Sequence, residues 1–212
     1  MTRRLLLCVL LLAIATVASA QKIIYTKEFP GSVPAYVWIQ VDRNGDARYK
    51  ESPDDNPEKL QLGEDAAAAM FGLASSLDHF KHPLESGLKV ANMGTKTFRW
   101  EDADAKPGDA KQEVKFNYSL EEDAKTLHDW FERITESVRQ LVLLRRAIRH
   151  DRLGVHQALI DIENLYLDKK LVATAQFLPL FDRVAGDEQY LHMARTRAAR
   201  LAEAIRGVAK TP

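Results

Sequence analysis

The residues best equipped for chemistry in this chain are a few histidines, one acidic turn and a run of arginines. His79 and His82 lie three apart. On a helix that spacing puts two imidazoles on one face, where Asp78 or Glu85 could add a metal ligand. Pro83 follows directly, so the pair falls at a helix end, where a protonated histidine also suits the helix dipole. No metal site is expected, and His79 with His82 is the alternative ligand pair. Asp42, Asn44 and Asp46 alternate as calcium-loop ligands do. Ala47 replaces the required glycine, however, and Pro53 stands where a bidentate glutamate belongs. A turn explains the same residues. His128, His150, His156 and His192 are scattered, without the Glu-x-x-His pairs that mark metal sites in helical bundles.

Arg139, Arg145, Arg146, Arg149 and Arg152 crowd one stretch, and Arg195, Arg197 and Arg200 form a second group. Arg145, Arg146, Arg149 and Arg152 are the anion-binding candidates. A basic face built from them would suit an anionic polymer, a lipid headgroup or an acidic partner. The plainer reading has their stems covering apolar surface and their heads in water or paired to Glu136, Asp151 and Glu203. No Gly-x-Ser-x-Gly, P-loop or His-Glu-x-x-His occurs, so no catalytic residue and no cofactor is expected.

Composition narrows the class. The 212 residues hold 30 Lys+Arg against 30 Asp+Glu, with 46% hydrophobic and 28% charged residues. That balance fits a globular protein and excludes a strongly basic nucleic-acid binder. Arg3 and Arg4 precede an apolar run from Leu5 to Val17, and Ala18-Ser19-Ala20 ends it. This is the pattern of a secretory signal peptide cut after Ala20. The only cysteine, Cys8, lies inside that segment, so the mature chain has no disulfide and no thiolate chemistry. No later apolar stretch reaches the roughly 18 residues that a membrane span needs.

The elements that must position these residues divide near Ser119. Ala35 to Val41 alternates as a strand, and Asn44-Gly45 suits a type I′ turn to a return strand over Ala47 to Glu51. Ser52 to Lys59 reads as a polar loop. Ala67, Met70, Phe71, Ala74 and Leu77 predict a helix from Glu64 to Phe80. Thr97 to Glu101 and Glu113 to Tyr118 form a second strand pair across a mobile loop, Asp102 to Lys111. Ser119 and Glu122 have capping-box spacing and open a helix of about 30 residues. Helices over about Val155–Asp168, Ala175–Ala185 and Glu188–Ile205 follow, the last two with Thr174 and Asp187 as N-caps.

Tyr36-Val37-Trp38-Ile39-Gln40-Val41-Asp42, Gly45, Tyr49-Lys50-Glu51 and Lys115-Phe116-Asn117-Tyr118 resemble a module of uncharacterised secreted bacterial proteins. Its hairpin–helix–hairpin order is similar to half of the β-lactamase inhibitory protein fold, over about residues 25–135. The resemblance implies an exported antiparallel sheet with a covering helix. It implies no active site, and no inhibitory residue carries over.

The expected fold is α+β. After a signal peptide (1–20) come a small antiparallel sheet with a covering helix (21–118) and then a long helix with a helical C-terminal region (119–212). The expected function is an exported, non-catalytic binding or interaction protein, secreted or periplasmic, whose partner is an unknown protein or envelope component. Nucleic acid and membrane spanning are not expected. Two alternatives stand beside it: a secreted enzyme or metal-dependent protein using dispersed His and carboxylate residues, and an envelope scaffold binding anionic polymer through its Arg-rich helices.

Overall fold

The computed structural model describes residues 21–102 and 112–208. Six strands form one antiparallel sheet: β1 (Lys22–Glu28), β2 (Tyr36–Asp42), β3 (Asp46–Lys50), β4 (Glu58–Gln61), β5 (Thr95–Glu101) and β6 (Gln112–Phe116). Their spatial order is β4-β3-β2-β1-β5-β6. Five helices accompany them: α1 (Glu64–Ser76), α2 (Glu122–His150), α3 (Gly154–Leu167), α4 (Leu178–Gly186) and α5 (His192–Val208). The arrangement is α+β, as the residue patterns predict.

Two strands go beyond the sequence reading. β1 lies inside the sheet, pairing Tyr25 with Ile39 of β2 and with Phe98 of β5. β4 takes Glu58 and Lys59 out of the expected loop and pairs Leu60 with Ala47. Alternation sends Ile23, Tyr25, Ile39, Tyr49, Phe98 and Trp100 into one core with Met70 and Phe71 of α1 and Leu127, Phe131 and Ile134 of α2. The opposite face carries Thr26, Trp38, Gln40, Arg48 and Arg99, all at least partly exposed.

The β2–β3 turn is one residue longer than expected. Arg43, Asn44 and Gly45 form the loop, Gly45 N–H donates to the Asp42 carbonyl at 3.0 Å, and only Gly45 has positive φ, +82°. A three-residue loop ending in a left-handed glycine is the usual next choice after the two-residue turn.

α1 stops at Ser76, four residues before the expected end. Asp78, His79 and Phe80 follow in a tight turn at φ of 47°, 52° and 66°, which seats Phe80 in the core. The long helix also differs at its start. Ser119 accepts from Glu121 N–H at 3.2 Å and does not cap α2, so the capping box does not form. α2 runs 29 residues from Glu122. The helix predicted over Ala175–Ala185 divides into a 3-10 turn over Thr174–Phe177 and α4, with Pro179 in the first turn, where its missing N–H costs nothing. Asp187 accepts from Gln189 N–H, and α5 begins three residues later at His192. Most of the loop expected over Asp102 to Lys111 lies outside the described residues.

α2 belongs to both halves of the molecule. Ala124 to Val138 pack on the sheet. Leu141, Leu144 and Ile148 join a second core with Leu159, Phe177, Phe181, Ala198 and Leu201 from the later helices. The boundary expected at residue 119 therefore falls before a helix that the sheet needs for its own core.

Candidate functional site

The histidine pair does not form a metal face. The left-handed turn rotates His79 onto the indole of Trp100, with ring centroids 4.3 Å apart. His82 instead sets Nε2 3.2 Å from both carboxylate oxygens of Glu121. Among the described residues no three His, Cys, Asp or Glu side chains gather as a metal group. In the acidic turn, Asp42 Oδ1 accepts from Asp46 N–H at 3.0 Å and Asn44 donates to Asp46. That is turn chemistry rather than a calcium shell.

A polar cluster that the sequence did not announce lies between β1 and α2. Lys27 Nζ donates to both Glu132 oxygens at 3.0 Å, and Tyr25 Oη donates to Glu132 Oε1 at 3.2 Å. His128 Nε2 stands 3.3 Å from the same oxygen without the geometry of a hydrogen bond. Burial works to raise the Glu132 pKa. His128 and Lys27 outweigh it and bring the carboxyl down to about 2. Burial and then Glu132 push the Tyr25 phenol up. Nearby Lys96 is buried and donates to the Asn117 carbonyl at 2.7 Å; burial, then repulsion from Lys27, lowers its pKa. The charged members bind one another or main-chain carbonyls, so the cluster ties α2 to the sheet. Of its members only His128 and Glu132, four apart on α2, are close in sequence.

The arginine candidates separate. Arg145 turns towards the sheet and pairs with Glu58 at 3.0 Å. Arg139 pairs with Glu51 and Glu136. Arg146, Arg149 and Arg152 are exposed and make no ion pair among the described residues. Val142, Arg146 and Arg149 recur at spacings of four and three along one face of α2, flanked by Leu143 and His150. These residues lie past the part of α2 that covers the sheet. Leu153 stands at the turn into α3 and is 73% exposed.

No family model matches the chain, and no curated protein or solved structure matches it significantly. Its site must therefore be judged on its own geometry.

The α2–α3 corner is firmly built. Asp151 ends α2, and its Oδ1 accepts from Gly154 N–H at 3.0 Å, capping the first turn of α3. A Cβ at residue 154 would meet that carboxylate, so a larger residue there would have to push the Asp151 side chain aside. Two open cavities flank Leu143. One of about 390 Å³ lies towards β3 and includes Tyr49, Glu58 and Val142; one of about 530 Å³ lies towards α3 and includes Arg146, His150 and Asp161. The distal end of α2 and the turn after it thus carry exposed Val142, Leu143 and Leu153, with the guanidinium groups of Arg146, Arg149 and Arg152 unpaired among the described residues. Such a patch can bind a surface that is anionic outside and apolar beneath.

The second arginine group also has a defined place. Glu163 of α3 accepts from Arg197 Nε at 2.7 Å and from Arg200. Arg197 Nη1 reaches His156 Nδ1 at 3.2 Å.

Proposed function

We propose that this chain is an exported, non-catalytic binding protein of the cell envelope, and that it docks on an anionic lipid surface through the distal end of α2. The supporting observation is Leu153, exposed in the turn between α2 and α3 beside Arg149 and Arg152, which are unpaired among the described residues, with Arg146 one turn back. Arginines interleaved with exposed leucine match a headgroup layer over an acyl layer. Export rests on Arg3, Arg4 and the apolar run to Val17.

Sedimentation with vesicles tests the proposal. The protein should bind vesicles of phosphatidylglycerol and phosphatidylcholine, weaken as salt rises and ignore pure phosphatidylcholine. Each guanidinium near the surface is worth about 1 kcal/mol. Arg146→Gln, Arg149→Gln and Arg152→Gln together should weaken binding about 100-fold. Leu153→Asn should weaken it while leaving its salt dependence unchanged. Equal binding by the triple variant and the unmodified protein would reject the docking surface.

A further inference from the structure

We propose that a second site, separate from the α2 corner, takes a phosphate group in the cleft between α3 and α5. The cleft has a volume of about 320 Å³ and is lined by His156, His192, Met193, Thr196, Arg197 and Arg200. Two of these side chains are always cationic, two are imidazoles and one is a hydroxyl; none is a carboxylate. A cavity walled this way presents donors and positive charge to whatever enters it.

The donors are held in place. Glu163 lies behind the two arginines, with its side chain 18% exposed, and engages Nε of Arg197 and Nη2 of Arg200. Burial works to raise the Glu163 pKa, but the two arginine hydrogen bonds outweigh it and keep the carboxyl ionised below its ordinary range. One carboxylate cannot neutralise two guanidiniums, so a positive charge remains at the cleft. Arg197 Nη1 donates to His156 Nδ1, which assigns the imidazole proton to Nε2. Arg197 keeps Nη2, and Arg200 keeps Nη1 and Nε, without protein acceptors among the described residues. A planar guanidinium fixed on one edge and free on another suits bidentate recognition of an oxyanion. The tetrahedral, multiply charged phosphate group uses several such donors at once. Met193 and the size of the cleft leave room for an organic portion.

The test uses the intact protein at neutral pH without lipid, so it is independent of vesicle binding. Inorganic phosphate is titrated in one arm and glycerol 3-phosphate in the other, with histidine and arginine side-chain NMR resonances as readout. Saturable shifts at His156 and Arg197 are expected, with acetate at equal ionic strength producing none. Equal affinities in the two arms assign the site to the phosphate group itself; a tighter ester assigns it to a phosphorylated organic compound. Arg200→Gln should weaken binding at least tenfold. The Arg200 side chain is 64% exposed, so the variant should retain the fold. Arg197→Lys keeps the charge, loses the planar fork and should also weaken binding. Arg206→Gln, on the same helix but paired with Asp182, should change nothing. The site is rejected if the shifts never saturate, if Arg200→Gln binds as the unmodified protein does, or if Arg206→Gln weakens binding equally. Should Arg200→Gln fail to fold, exposed His192→Gln carries the same test.

Discussion

Glu132 concentrates more opposing influences than any other carboxylate described above, and it yields a directional prediction. Its carboxyl holds a proton less tightly in the folded chain, at about 2, than the ordinary glutamate value of 4.5. A depressed carboxylate contributes stability that is complete above the unfolded value and disappears as pH falls through the folded one. Its side chain is 36% exposed, so solvent screening reduces the contribution to about 1 kcal/mol. Glu132→Gln should therefore cost about that much at pH 7. The gap from the unmodified protein should close between pH 4.5 and 2, as read by urea unfolding. A gap that stays constant across that interval would show that Glu132 contributes packing rather than charge. Gly45 gives a second residue-scale prediction. Its φ is +82°, and a Cβ there would sit 2.7 Å from the Leu62 carbonyl oxygen. Gly45→Val should destabilise the fold by about 2 kcal/mol, measurable in the same assay. Retained stability would mean that the turn can take another form.

At the level of elements, α2 is held on the sheet by aromatic packing. Phe131 is wholly buried and stacks on Tyr25 with centroids 4.6 Å apart. Phe131→Ala should cost about 3–5 kcal/mol, checked by thermal or denaturant unfolding; a loss below about 1 kcal/mol would mean that the core collapses around the vacancy. α2 was also the element most legible in the sequence, because its apolar stripe continues over many turns. α1 was legible from a shorter stripe of the same kind, β2 from its alternation and β3 from the Asn44-Gly45 turn before it. β1 was not read as a strand: its seven residues place Lys27 and Glu28 after Ile23, Ile24 and Tyr25, and its two-sided burial weakens alternation. β4 has one buried residue, Leu60, and so almost no pattern. The end of α1 was hidden because a left-handed turn at Asp78–Phe80 uses no glycine and leaves the helical periodicity intact up to Leu77. The arginine stretch was visible as charge. That Arg145 pairs with Glu58 and Arg149 does not depends on where β4 sits, which no local spacing encodes. The cleft around Arg197 and Arg200 needs α3 and α5 side by side, and was equally out of reach.

At the scale of the molecule, one helix is shared by two cores. Val138 closes the sheet core and Leu141 begins the helical one, while Val172 and Ala173 of the helical half also pack on the sheet core, so cooperativity passes through one turn of α2 and through this segment. Gln140→Pro would break that turn at a cost of about 3 kcal/mol or more. Amide hydrogen exchange should then show lost protection in both β1 and α5. Unchanged protection in α5 would show that the helical half is stable by itself.

The sheet's strand order also fixes a sequence of events in time. As the chain becomes available from its amino end, β1 to β4 can pair as a simple meander from residues 22 to 61 alone. The other side of β1 is filled only when β5, residues 95–101, arrives. Until then the strand destined for the interior is an outer one, showing unpaired main-chain groups beside Ile23, Ile24 and Tyr25. Such an edge recruits other strands. Between the completion of β4 at residue 61 and that of β5 at residue 101, some forty residues later, the edge of β1 stands open to any other strand.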